Sequence, residues 1–344
     1  MPERRCCAEC FGDSGLRESI VPSLSIEQGV CDYCGAASVA LVAPVLLRQW
    51  FELLLEAYDP NPSGRSLVDC LRRDWRLFEN PVMDDAHAKE LLADVLDDGD
   101  AVRRTFTVAS PVASDGLDRW DDLRDELMHR NRWFLDVPID LDRLRQLLDM
   151  LIAPEGDLPS LWFRARLFDG MPFEIGEMGP PPLELAGHGR ANPAGIPYLY
   201  LGSTAATAIA EVRPQTGETV CVGEFMLGKV RAVDLRAPRL RVSPFILSDS
   251  TDIARLLSDL PLLERLGEEL TRPVLPKSAA FEYTPSQYLC EFIKHGGFDG
   301  VVYRSSVSNG INLALFDPAR AAGVAVRVVR VERVSVDFHP LGGI

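Results

Sequence analysis

Residues 189–211 read Gly-Arg-Ala-Asn-Pro-Ala-Gly-Ile-Pro-Tyr-Leu-Tyr-Leu-Gly-Ser-Thr-Ala-Ala-Thr-Ala-Ile-Ala-Glu, and few local structures accommodate that run. Ile196 to Leu201 alternates as a strand does. Ser203 or Thr204 is placed to cap a helix built from Ala205, Ala206, Ala208, Ile209 and Ala210. Glu211 then falls about two turns into that helix. A loop carrying Arg190, a strand carrying Tyr200 and a helix carrying Glu211 therefore belong to one short unit. These side chains suit a phosphorylated, glycosidic ligand. Arginine forks onto phosphate, a tyrosine face stacks on a planar ring, and a carboxylate supports positive charge at an anomeric carbon.

This spacing resembles that of the RES domain, a family named for its arginine, glutamate and serine. The likeness continues in Leu161-Trp-Phe-Arg164-Ala-Arg166-Leu, then Thr284-Pro285-Ser286-Gln287-Tyr288, Phe298-Asp299-Gly300-Val-Val-Tyr303-Arg304-Ser305 and Asn312-Leu-Ala-Leu-Phe316. Together these blocks span roughly residues 158–337 in the family's order. The resemblance implies an α+β, ADP-ribosyltransferase-like domain and a toxin that destroys NAD. It implies catalytic roles for Arg190, Tyr200, Glu211 and Ser305, and NAD contacts from Arg164, Arg190 and Tyr200. Arg190 would hold a phosphate of NAD, with Arg164 a second candidate, because a buried arginine needs an anion from ligand or protein. Tyr200 would stack on nicotinamide; Tyr198, on the same side by alternation, is the alternative. Glu211 would hold a ribose hydroxyl or support the cationic sugar, and Ser305, or Ser306 one frame away, would orient it.

Four of the eight cysteines form Cys7-x2-Cys10 and Cys31-x2-Cys34. Each such turn supplies two sulfurs, and zinc takes four in a tetrahedron. A structural zinc in a ribbon over residues 1–40 follows, with Cys6 leaving the register open by one. Cys70, Cys221 and Cys290 stand alone and read as buried apolar residues. Residues 41–152 read as mainly α-helical, with Leu46, Leu47, Trp50, Leu53, Leu54 and Tyr58 at helical spacing, then Leu67, Cys70, Leu71, Trp75 and Phe78. Asn61-Pro62-Ser63-Gly64 breaks the pattern. The fold class expected is a zinc ribbon, a helical domain and an α+β RES domain over 158–337.

A zinc-bearing start, then helices, then a RES domain resembles HEPN/RES fusion proteins, and Arg124-x4-His129 fits the arginine–histidine pair of a HEPN ribonuclease. A helix rich in Asp and Arg also yields such pairs as i,i+4 ion pairs on a solvated face, and that reading is preferred. In the C-terminal part, Thr284, Pro285 and Gln287 are expected to form the capping box of a helix ending at Gly296-Gly297.

Charge is unevenly spread. Residues 1–150 hold 17 Lys and Arg against 29 Asp and Glu, whereas the rest hold 19 against 22. The first part repels polyanions, which argues against nucleic acid as the main partner. A hydrophobic fraction of 47% without a membrane-length apolar run or signal-peptide core points to a cytoplasmic protein. The function expected is cleavage of the nicotinamide–ribose bond of NAD by water or phosphate, as the toxin of a toxin–antitoxin or defence system. ADP-ribosyl transfer to a protein or nucleic acid is the alternative. A non-catalytic NAD-binding or partner-binding module and a ribonuclease rank below it. An antitoxin or regulatory partner is expected, and an oligomer is not excluded.

Overall fold

The computed structural model describes residues 4–109, 115–275 and 277–335. The sequence readings that reach residues 1–3, Ser110, Pro111, Val336 and Asp337 run outside that range. Two compact units divide the chain: residues 1–118 with 237–264, and residues 119–236 with 265–344.

In the first unit, β1 (Cys6–Cys7), β2 (Glu27–Gly29) and β3 (Val39–Val42) form a sheet in the order β1-β3-β2. The two Cys-x2-Cys turns flank its strands. A 3-10 turn, Ala8–Cys10, follows β1, and in the second turn Gly35 at φ 72 donates its N–H to the carbonyl of Cys31. Helices follow at Arg48–Leu55, Leu67–Trp75 and Asp85–Leu96. Ser66 and Asp84 cap the last two, accepting N–H groups of their first turns.

The stretch read as a helix breaker is a strand. β4 (Tyr58–Ser66) pairs with β5 (Thr105–Val108), and the register jumps between Pro60 and Arg65. Proline has no N–H for a ladder, so Pro60-Asn-Pro62 bulges away from β5. Gly64 restores the approach: a Cβ there would lie 2.2 Å from the carbonyl oxygen of Phe106.

The second unit holds β6 (Leu161–Leu167), β7 (Leu199–Gly202), β8 (Thr219–Leu227), β9 (Ala232–Asp234), β10 (Gly300–Arg304), β11 (Ile311–Leu315) and β12 (Ala321–Arg330). They form one sheet in the order β12-β8-β6-β7-β11-β10-β9, antiparallel except for β9 against β10. A strand-rich unit with a few helices is the α+β arrangement expected of it. β6 and β7 pair only at Phe163 and Gly202, whereas β6 and β8 pair over all of β6. The sheet is thus nearly split into two halves at that junction.

Alternation sorts the side chains of these strands. Trp162, Leu199, Leu201, Cys221, Phe225, Val302, Leu313 and Leu315 pack together on one face. Ala165, Val220 and Val222 pack on the other with Ala208 of the helix Ala205–Glu211. Thr204 caps that helix by accepting the N–H of Thr207.

The helix Thr284–His295 keeps the expected bounds but not the expected cap. Tyr283 is already helical, continuing from Ala279–Glu282, and its carbonyl accepts the N–H of Gln287. With the Gln287 N–H accepted by the preceding turn, Thr284 Oγ1 is buried without a partner and the Gln287 side chain donates elsewhere.

Candidate functional site

A cavity of about 420 Å³ opens on the sheet face that carries the helix Ala205–Glu211, beside the β6–β7 junction. Its floor is one cross-strand row. Phe163 stands opposite Gly202, Gly202 opposite Asn312, and Asn312 opposite Tyr303, and all four line the cavity. Gly202 is required there, because a Cβ would meet the backbone nitrogen of Ala208 at 2.8 Å.

Glu211 ends its helix at the cavity wall. Its Oε1 accepts from Ser305 Oγ at 2.7 Å and from Asn312 Nδ2 at 2.6 Å. Both donors converge on one carboxylate oxygen; Oε2 accepts nothing among the described residues. Ser305 is itself held, its N–H donating to Gly310 and its Oγ accepting the N–H of Val307. Ser306, the alternative by one frame, serves a different residue: its Oγ accepts from Arg190 at 2.9 Å.

Arg164 and Arg190 both line the cavity but differ in what they hold. Arg190 donates to the carbonyls of Leu270 and Arg272, the latter at 2.6 Å, and lies over the ring of Tyr283. Its guanidinium is occupied at the end of the helix Ser250–Glu269. Arg164 makes one bond of 3.3 Å to the Tyr200 carbonyl, and its Nε is buried without a partner. Burial, with Arg166 adding repulsion, pushes its pKa down to about 10, so it remains a cation at neutral pH. No carboxylate neutralises it among the described residues.

The loop ahead of β7 is built around Tyr200. The Tyr200 hydroxyl donates to Asn192 Oδ1 at 2.7 Å and accepts the N–H of Ala191. A Cβ on Gly189 would lie 2.5 Å from that hydroxyl. Gln287 completes the support by donating to the carbonyls of Gly189 and Asn192, and Ser286 donates to the carbonyl of Arg190. Burial raises the Tyr200 pKa, so the phenol stays protonated. Tyr198 is no alternative: it lies in the core against Phe316, away from the cavity lining.

The family with which this geometry agrees is shown by direct comparison: the RES domain matches residues 161–338. The chain belongs to the RES family. A solved structure, the M. tuberculosis MbcT–MbcA toxin–antitoxin complex, is similar over 54% of this chain and 92% of that chain, at 14% identity and a TM-score of 0.33. No curated protein matches the chain. Asn312 lines the cavity, and Gln287 and Ser286 stand behind it supporting the loop around Tyr200, a place the spacing argument gave to none of them. Asn312 carried a signal in the sequence, as a lone amide inside the apolar run Ile311–Leu315 where it needs a partner, whereas Ser286 and Gln287 lie in the polar stretch Thr284–Gln287 and carried none.

Outside the RES domain, the sulfurs of Cys7, Cys10, Cys31 and Cys34 all lie within 4.8 Å of one another, and the four residues are buried. Thiolates about 2.3 Å from a tetrahedral zinc stand roughly 3.8 Å apart, so the cluster fits such an ion. Cys6, although buried, is not one of the four. Arg124 is not on a solvated face: its Nε lies 3.2 Å from Glu269, whose side chain is 2% exposed. His129 packs on the ring of Phe281. No helix among the described residues is long and apolar enough to cross a membrane.

Proposed function

We propose that this RES protein is an NAD-consuming toxin or defence effector that breaks the nicotinamide–ribose bond. The supporting observation is the Glu211 carboxylate, anchored through one oxygen by Ser305 and Asn312 and free through the other at the wall of a cavity that also holds an unneutralised Arg164. Bond cleavage passes through an oxocarbenium-like sugar. Nicotinamide is cationic when attached and neutral when it leaves, so no general acid is required. One fixed carboxylate supports the developing charge, and its two donors keep it from rotating away. Arg164 is the ligand's phosphate partner, Tyr200 supplies a ring face, and Arg190 holds the wall formed by residues 270–283. Water or phosphate then takes the ribosyl carbon.

Nicotinamide release from NAD by the purified chain tests this reading. Glu211→Gln keeps the volume and removes the charge; we expect about a hundredfold or greater loss of release with the unfolding temperature preserved. Release by the variant at the wild-type rate would sink the proposal. Label from NAD found on a macromolecule rather than in free ADP-ribose or its phosphate would identify ADP-ribosyl transfer instead.

An enzyme that drains NAD must be held inactive, so an antitoxin or regulatory partner covering the cavity belongs to the same reading. The four-cysteine cluster is assigned a structural zinc, since four thiolates leave no open coordination position for catalysis.

A further inference from the structure

The Tyr303 side chain is committed to no hydrogen bond among the described residues. It is 3% exposed and lines the cavity. The other tyrosines of the wall differ. The Tyr200 hydroxyl is occupied by Asn192 and Ala191, and Tyr283 is half-buried with its ring under Arg190. The ring is buried while the hydroxyl opens on the cavity, so it is free to donate to whatever fills it.

Its position is set by the sheet. Tyr303 on β10 pairs directly with Asn312 on β11, and directly opposed residues share a face. Ser305 follows two residues later on the same side. Asn312 and Ser305 are the two donors to Glu211 Oε1. Tyr303 therefore flanks the carboxylate alongside both, and Glu211, Tyr200 and Arg190 are its electrostatic neighbours. Burial raises its pKa well above 10, which keeps the phenol a donor at neutral pH.

The cavity thus offers one acceptor-only oxygen, Glu211 Oε2, next to one uncommitted donor. A vicinal diol satisfies both, since one hydroxyl donates to the carboxylate while the neighbouring oxygen accepts from the phenol. We propose that Tyr303 is a ligand-binding residue that donates to the ribosyl diol held on its other side by Glu211. This assignment rests on the NAD reading above and names the part of the ligand that the β10–β11 edge reads.

Tyr303→Phe deletes the hydroxyl and keeps the ring. With NAD, the variant is expected to show a KM raised about tenfold, the worth of one neutral hydrogen bond, with kcat changed less than about threefold. NAD lacking one hydroxyl of the nicotinamide ribose should lose a similar factor with the wild type and lose nothing further with the variant. Unfolding curves of the two proteins should coincide. If Tyr303→Phe matches the wild type on NAD, or loses equally on both substrates, the assignment is wrong while the NAD reading stands. If the wild type neither binds nor cleaves NAD, both fall together.

Discussion

Arg164 and Arg190 are chemically identical and lie on one cavity, but only one is spoken for. Removing Arg164 deletes a buried cation without a counter-charge, so Arg164→Met should leave the unfolding temperature unchanged or raise it. The same change should raise the KM for NAD by about tenfold or more. Arg190→Ala should do the reverse in stability, because Leu270, Arg272 and Ser306 lose their partner. Calorimetry paired with NAD kinetics separates the two; an equal loss of stability in both variants would refute this division of labour. A second titration is built into the first unit. Asp13 is 4% exposed, and burial pushes its carboxyl up to about 6, against the donated bonds from Leu16 and Ser243. The folded pKa lies above the unfolded one, so Asp13 favours folding most below about pH 4, and that contribution is lost as pH rises to about 6. Asp13→Asn keeps the acceptor oxygen and should flatten this slope, gaining roughly 3 kcal/mol over the wild type between those pH values. Urea unfolding at several pH values reads the difference; parallel profiles would overturn it.

The helix Ala205–Glu211 and the β10–β11 hairpin act as one device for aiming a carboxylate. The hairpin supplies Tyr303, Ser305 and Asn312, and the helix supplies Glu211. Their approach depends on Gly202, whose missing side chain lets the start of the helix sit on β7. Gly202→Ala should therefore displace the helix, costing about 1–3 kcal/mol of stability and more than tenfold in nicotinamide release. Asn312→Ala should reduce release while sparing much of the stability, since Ser305 still holds the same oxygen. A Gly202→Ala variant with full activity would show that the helix position does not matter to the carboxylate.

Across the molecule, the two units are discontinuous in sequence: residues 237–264 belong with 1–118, and residues 119–152 belong with the RES domain. Trp120 Nε1 donates to Glu269, and Arg124 pairs with the same carboxylate. A fragment beginning at residue 150 leaves that buried carboxylate without either partner, a change expected to cost several kcal/mol. We expect the fragment 150–344 to express poorly or unfold at lower temperature than the full chain. The zinc assignment belongs here too. About one zinc per chain should be found with all-sulfur coordination, and a strong chelator should lower the unfolding temperature through the first unit. Metal-free protein with unchanged stability would end it.

Much of this was readable along the chain. Alternation over Ile196–Leu201 located β7, the Thr204 side chain marked a helix start, and paired Cys-x2-Cys turns announced their own cluster. These features depend on neighbours a few residues away. The break at residues 61–64 was also a local argument and it held, since one helix stops at Leu55 and the next begins at Leu67, but the strand pairing that fills the gap was not local. The capping box at Thr284 failed because a preceding turn changed what the backbone needed. Which arginine is free was not local at all. Arg190 meets carbonyls 80 and 82 residues away, and Glu211 meets donors 94 and 101 residues away. No spacing rule encodes those distances, because they follow from how strands cross within the sheet. Residue types chose the chemistry available, and only the folded arrangement decided which side chains were consumed in building the cavity and which were left facing its ligand.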